Sequence, residues 1–328
     1  MSKFNITFKN KKYSIDKSLL SGAISSIEAV LIGLSGGDVP TPTETLAPGL
    51  YQTGAIALYE EQGAEAIEGM MITSWDELLA NGTVHVEDGV VYSNFNIDEW
   101  PDEWVNTSSD ALAGDLVLPS DGSITALGDF NINDEVGNPA FALCEQLTGL
   151  YIPGSVMSIS DMAFHTCVSL TSIMIPSRVT SIGWGVFSSC ISLASIVIPD
   201  SVTSIGISAF EGCESLASIT IPNSITVIDE NAFSYCTSLE SIEISDSVTS
   251  IGCSAFESCT ALDSVAIGNG MTNIYDCAFL DCISLKSITY NGTIAQWNLI
   301  TKGSAWQSGT GDFTVYCTDG NILPELPS

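Results

Sequence analysis

Residues 193–213 read LASIVIPDSVTSIGISAFEGC, and close variants of that line fill more than half of the chain. The preceding copy shows the physics. Leu170, Ile173 and Ile175 alternate as a short strand would, Pro176 stops it, Val179 and Ile182 give a second short extended segment, and Phe187 with Cys190 close the coil from the far side. Such a coil points about eight apolar groups at one axis and cannot bury them alone, so neighbouring coils must stack.

The interval is constant. Cys144, Cys167, Cys190, Cys213, Cys236, Cys259 and Cys282 are separated by 23 residues each, as are Phe141, Phe164, Phe187, Phe210, Phe233, Phe256 and Phe279. The leucines from Leu147 to Leu285 keep the same step. This predicts a mainly β, leucine-rich-repeat solenoid of about eight 23-residue coils over 116–290, closed by a C-terminal cap and tail over 291–328. At a strand spacing of about 4.7 to 4.9 Å the stack would be on the order of 35 to 40 Å long, with every inward position a ladder of like side chains.

Phe164, Phe187, Phe210, Phe233 and Phe256, with Cys167, Cys190, Cys213, Cys236 and Cys259, form the expected structural ladder. Seven cysteines at one inward site are an odd number that cannot pair off, which favours buried free thiols. Cys253, Cys277 and Cys317 lie off the ladder; the first two occupy surface-facing positions of successive coils, offset by one, where oxidation is conceivable. There is no Cys-x-x-Cys pair with a nearby His, so no metal and no cofactor is expected. Gly183, Gly206 and Gly252 recur at one turn position and serve the geometry of the coil.

Copies such as Leu193 to Gly206, followed by Ala209-Phe210 and Cys213, resemble the BspA-type leucine-rich repeats of bacterial surface proteins and protozoan parasites. The resemblance runs from about Leu116 to Ile322. The stretch Tyr290 to Trp297, with Val315 to Gly320, is similar to the closing cap of those arrays. The resemblance implies a non-enzymatic protein that binds host proteins or surfaces. The first coil departs from the pattern through an insertion, residues 128–139. It holds Asp129, Asn131 and Asn133 at half of a calcium-loop spacing, but Asp134 stands where Gly is needed and Ala140 where Glu is needed, so it reads as an exposed acidic loop.

The rest of the chain has another texture. Lys3, Lys9, Lys11, Lys12 and Lys17 make residues 1–37 net basic, and no further Lys or Arg occurs until Arg178. Phe4, Ile6 and Phe8 alternate, Asn10-Lys11 is a turn, Tyr13 to Ile15 returns, and a helix is expected from about Lys17 to Leu34. This small module is either a cap or an anchoring and oligomerising unit. Gly36-Gly37 and Pro40, Pro42 make 38–49 a linker. An acidic α+β middle domain follows at 50–115: a strand at Ala55 to Tyr59, a helix at Ser74 to Asn81 with a Ser74/Glu77 capping box, and a hairpin from Val84 to Tyr92 around Asp88-Gly89. Its tail repeats Asp-Glu-Trp at Asp98 to Trp104, read as a loop packing two Trp rings against its neighbour. The segment Ala47 to Gly54, with Ser74 to Leu79 and the hairpin, resembles the adaptor part of leucine-rich-repeat proteins in phages and prophages of gut bacteria.

Composition narrows the function. The 328 residues include 8 Lys+Arg against 39 Asp+Glu, a formal net charge of −31, which argues against nucleic acid and against anionic membrane surfaces. No apolar run reaches the roughly 18 to 20 residues needed to cross a bilayer, so no membrane insertion is expected. The start carries no Sec-type apolar region, and release within a phage particle at lysis is one alternative route out of the cell. His85 and His165 sit in no catalytic spacing, and His165 shares the coil position of Ser188, Glu211 and Ser234, read as a solvated corner.

Function must then come from the surface. Between the inward Ile positions of the first strand the outward residue runs Tyr151, Met174, Val197, Thr220, Glu243, Ala266, Thr289; after the second segment it runs Asp161, Trp184, Ile207, Glu230, Cys253, Asp276. Tyr151, Met174, Trp184, Val197, Ile207, Glu230 and Glu243 are therefore the candidate ligand-binding residues, with an apolar end grading into an acidic one. Three functions compete. The leading one is a phage- or cell-surface-associated receptor-binding or host-attachment protein, located on a virion or an extracellular surface, that engages a host protein or surface glycan and assembles through its N-terminal module. The second is a structural virion component or an intracellular, cytoplasmic interaction scaffold. The third is an enzyme in the middle domain, for which no motif speaks.

Overall fold

The computed structural model of the chain describes residues 3–8, 11–16, 72–73, 84–87, 90–93, 114–118, 122–128 and 140–323. The expected helices at 17–34 and 74–81, the linker, the Asp-Glu-Trp tail and residues 129–139 of the insertion lie outside the described residues.

Two hairpins precede the coils. Strands β1 (Lys3–Phe8) and β2 (Lys11–Asp16) pair antiparallel with Phe4 opposite Ile15 and Ile6 opposite Tyr13, and Lys11, expected in the turn, opens β2 opposite Phe8. Strands β4 (Val84–Glu87) and β5 (Val90–Ser93), which follow β3 (Ile72–Thr73), pair around Asp88-Gly89 with Glu87 opposite Val90. Both β3 and this hairpin join the solenoid. β3 lies parallel to β6 (Gly114–Val117), and β5 lies parallel to β7 (Ala126–Leu127), so segments read from sequence as middle-domain structure begin the solenoid's two strand-bearing sides.

Each coil then contributes one strand to each of two sides, save the coil at 217–222, which has none on the first. The first sheet side takes β8 (Leu147–Tyr151), β10 (Ser172–Met174), β12 (Ser195–Val197), β15 (Ser241–Ile244), β17 (Ser264–Ile267) and β19 (Ser287–Tyr290). The second takes β9 (Ser158–Ile159), β11 (Ser181–Ile182), β13 (Ser204–Ile205), β14 (Val227–Ile228), β16 (Ser250–Ile251) and β18 (Asn273–Ile274). Register advances by one period per coil, with Ile173 beside Ile196 and Ile251 beside Ile274. The first side is two five-stranded sheets, because the coil at 217–222 forms no strand, although Leu216, Ile219 and Ile221 stay buried there.

The third side of every coil is a run of turns, residues 183–191 and their equivalents. It is stitched to its neighbours by backbone bonds such as Phe187 N–H to the Ala209 carbonyl at 2.9 Å and Phe210 N–H to the Ala232 carbonyl at 2.9 Å. Two residues per coil adopt the left-handed backbone there. One rank is Met162, Gly185, Ser208, Asn231, Ser254 and Cys277; the other is Leu143, Thr166, Ser189, Gly212, Tyr235, Ser258 and Asp281. Gly183, Gly206 and Gly252 answer a different need. A Cβ at Gly206 would sit 2.9 Å from the Gly183 carbonyl carbon and one at Gly252 would sit 2.6 Å from that of Asp229, so these glycines allow close approach of successive coils.

Inside, seven Phe rings stack in one column with centroids 5.2 to 5.7 Å apart and planes within 14° of parallel. Trp306 ends the column edge-on to Phe279, and Trp297 and Phe313 pack edge-on against Trp306. Trp297 is the buried residue of helix α1 (Ile294–Leu299), whose Thr293 and Gln296 form a reciprocal capping box. Strands β20 (Thr301–Lys302), β21 (Thr314–Cys317) and β22 (Gly320–Ile322) complete the cap. On the outside, Thr203, Thr249 and Thr272 each donate a hydroxyl to the carbonyl of the Thr one coil earlier, at 2.9 to 3.2 Å.

Candidate functional site

The cysteine ladder holds the expected place and has a role that spacing alone does not reveal. Cys167, Cys190, Cys213, Cys236, Cys259 and Cys282 each donate their thiol to a Phe carbonyl of the preceding coil, at 3.0 to 3.2 Å. The same carbonyls accept the N–H of their own coil's Cys, as Phe187 does from Cys190 at 3.1 Å. Removal from water raises the thiol pKa well above its usual value at Cys213 and Cys259, and pushes Cys282 up to about 12. These groups are neutral, unreactive core donors. Cys253, Cys277 and Cys317 are half-buried and free.

The outward residues fall into two ranks on different sides. Tyr151, Met174 and Val197 line up across β8, β10 and β12, all half-exposed, with Met174 directly beside Val197. Glu243 continues this rank on β15, beyond the strandless coil, exposed and beside Ala266. Trp184, Ile207 and Glu230 form the other rank, at the corner between the second sheet and the turn face, and all three are exposed. Their adjacency is set by the backbone: Met162 N–H donates to the Trp184 carbonyl at 2.8 Å and Gly185 N–H to the Ile207 carbonyl at 3.0 Å. The structure thus brings Trp184 to Ile207 and Met174 to Val197, and it does not join the two ranks into one patch.

Three expectations about polar groups change. The Asp161 carboxylate accepts the Trp184 N–H at 2.7 Å and the Asp276 carboxylate accepts the Ser304 N–H at 2.6 Å, so both hold the next coil instead of standing free. His165 is not at a solvated corner. It is half-buried with its Nδ1 shut off from water, and burial lowers its pKa, opposed by the Glu211 charge and by a hydrogen bond with the Ser188 backbone. Ser188 and Glu211 are half-buried too, and Ser234 is buried, because these side chains lie between successive turns.

Sequence reasoning missed the apolar groups most exposed on the turn face. Besides Trp184 and Ile207, both 42% exposed, it carries Ile191 at 41%, Tyr235 at 48%, Tyr275 at 49% and Ile283 at 62%. Several stand beside small or polar residues in their ranks: Tyr235 between Gly212 and Ser258, Tyr275 after Gly206 and Gly252, Ile283 after Thr237 and Thr260. That contrast was the signal available. The surface has few cations. Lys286 pairs with Asp263, Lys302 donates to the Trp297 and Ile300 carbonyls beneath the cap, and Arg178 reaches the Met157 sulfur.

No grouping of three His, Cys, Asp or Glu arranged for a metal occurs among the described residues, and none of their helices is long and apolar enough to cross a membrane. A stacked interior with variable outward ranks defines a repeat protein whose chemistry is that of a surface. The model of the BspA-type leucine-rich repeat region matches six copies over residues 125–239 and 180–299, just over half of the chain, and the protein belongs to that family.

Among solved structures, the chain is similar to a leucine-rich repeat protein of T. pallidum, with 33% identity over 48% of this chain and 73% of the other, at a TM-score of 0.44. It is similar to a leucine-rich cell surface protein of Faecalibacterium prausnitzii, with 28% identity over 57% of this chain and 62% of the other, at 0.41. A leucine-rich repeat protein of Eubacterium ventriosum shares 20% identity over 65% of this chain and 60% of its own, at 0.46. The chain thus spans less than two thirds of the second and third of these. No curated protein matches the sequence.

Proposed function

We propose that the protein is a non-enzymatic binding protein that uses the outward ranks of its solenoid to engage a host protein or surface glycan, from a virion or an extracellular surface. One observation carries the reading. Large apolar side chains stand exposed in neighbouring coils while the inward ladder is invariant, and a soluble repeat has no structural need for Trp184 and Ile207 at successive corners. Membership of the BspA-type family supports it, since the family is one of surface-binding repeats. The basic N-terminal hairpin, joined to an acidic body, supports a separate attachment or assembly role for that end.

Truncation ahead of β3, which leaves every strand of the solenoid in place, tests the division of labour: the protein without residues 1–37 should lose assembly and keep binding to host cells. Trp184→Ala should weaken binding by more than about 1 kcal/mol with an unchanged melting curve. A normal binding isotherm for that variant removes the corner rank from the site. Location is tested with an antibody against native protein: banding with density-purified particles or with the cell surface is expected, and recovery from cytosol alone overturns the adhesion reading.

A further inference from the structure

Resting on the binding reading, we infer that the turn face of the later coils, residues 207–214, 230–237, 253–260 and 276–283, is a docking surface for a cationic polypeptide segment that also carries apolar side chains. Two independent features of this face agree. It holds Ile207, Tyr235 and Ile283, three of the exposed large apolar residues, whereas the central rank of the first sheet from Tyr151 to Thr289 holds none that is fully exposed. It also holds Glu214, Glu230 and Asp281, all exposed, and the partly buried Glu211 and Glu257.

No cation lies within these coils to balance this charge. Between Asp200 and Asp281 the sequence has 12 Asp and Glu and no Lys, Arg or His, and the one ion pair among the described residues, Lys286 with Asp263, lies on the first-sheet side. A partner supplying Lys or Arg gains complementary charge along the whole face, and its apolar groups cover Tyr235 and Ile207. Glu211 and Glu257 occupy one rank with Ser234 between them, two coil spacings or about 9.5 Å apart. A polyproline II segment repeats every three residues, about 9.3 Å, so one cation in every three residues matches that rank.

The full-length protein is titrated by fluorescence anisotropy with a labelled peptide of four Arg-Leu-Pro repeats, against Glu-Leu-Pro and Arg-Ser-Pro peptides of equal length. Saturable binding of the first alone is expected, with the Arg-Ser-Pro peptide at least about tenfold weaker. The triple variant Glu211→Gln/Glu214→Gln/Glu257→Gln, isosteric and expected to fold, should lose about tenfold or more, as should Tyr235→Ala. Glu240→Gln on the first-sheet side should change affinity less than about twofold. Equal binding of both Arg peptides, equal loss in the first-sheet variant, or no binding overturns the inference. Loss confined to the first-sheet variant moves the site there and leaves the binding reading standing, which fails only if the host-cell experiment fails.

Discussion

Two columns run through the same coils at the same spacing and obey opposite rules. The Phe column repeats one residue seven times because each ring must fill the same gap against the ring below it. The corner rank at Trp184, a short way along the chain, changes identity at every coil through Ile207, Glu230 and Cys253. An inward place is constrained by its neighbours in the stack, and an outward one by whatever meets the surface. The two columns therefore report different things: invariance reads out the packing, and variation marks where the packing sets no demand.

The largest test of this contrast is Phe210→Ala. It removes a central ring stacked at 5.4 Å on both Phe187 and Phe233 and should cost about 3 to 5 kcal/mol, seen as a fall in melting temperature. An unmoved melting temperature would mean that the column is not the core. Gly252→Ala should cost about 1 to 3 kcal/mol in chemical denaturation, because the new methyl meets the Asp229 backbone and not a flexible side chain. A neutral result would show that the coils separate more easily than the register implies.

The smallest test sharpens the boundary between inside and outside. His165 is held in its neutral form by burial, so its folded pKa lies below the unfolded value of about 6.5. Its neutral state supports the fold above that value, and the contribution is lost as pH falls through 6.5 toward the folded pKa. The melting temperature of the native protein should fall from pH 7 to pH 5 more steeply than that of His165→Asn. Parallel curves would return His165 to the solvated corner that its rank suggested.

Much of the solenoid was legible because its signal is a period. Phe, Cys and Leu at one interval dictate stacking. The left-handed turns were hidden, since Gly185 and Gly212 mark only one coil of each rank while Met162, Tyr235 and Cys277 adopt the same backbone without a glycine to announce it. Strand pairing of β3 and the β4–β5 hairpin with the solenoid depends on contacts between segments far apart in the chain, which no local pattern encodes. Outward residues could be named from the period, but which side each rank occupies follows from where Pro176 and the turns bend the coil. Asp161 and Asp276 looked like surface charge because their backbone partners sit 23 and 28 residues further on.

The thiol ladder also makes the protein its own gauge of opening. Cys253, Cys277 and Cys317 lie partly at the surface and would take up a thiol reagent from the native state, while the seven ladder thiols are buried and shielded. Each ladder thiol belongs to one coil, so the order in which they become modifiable in mild denaturant maps where the stack first comes apart, coil by coil and without any added label.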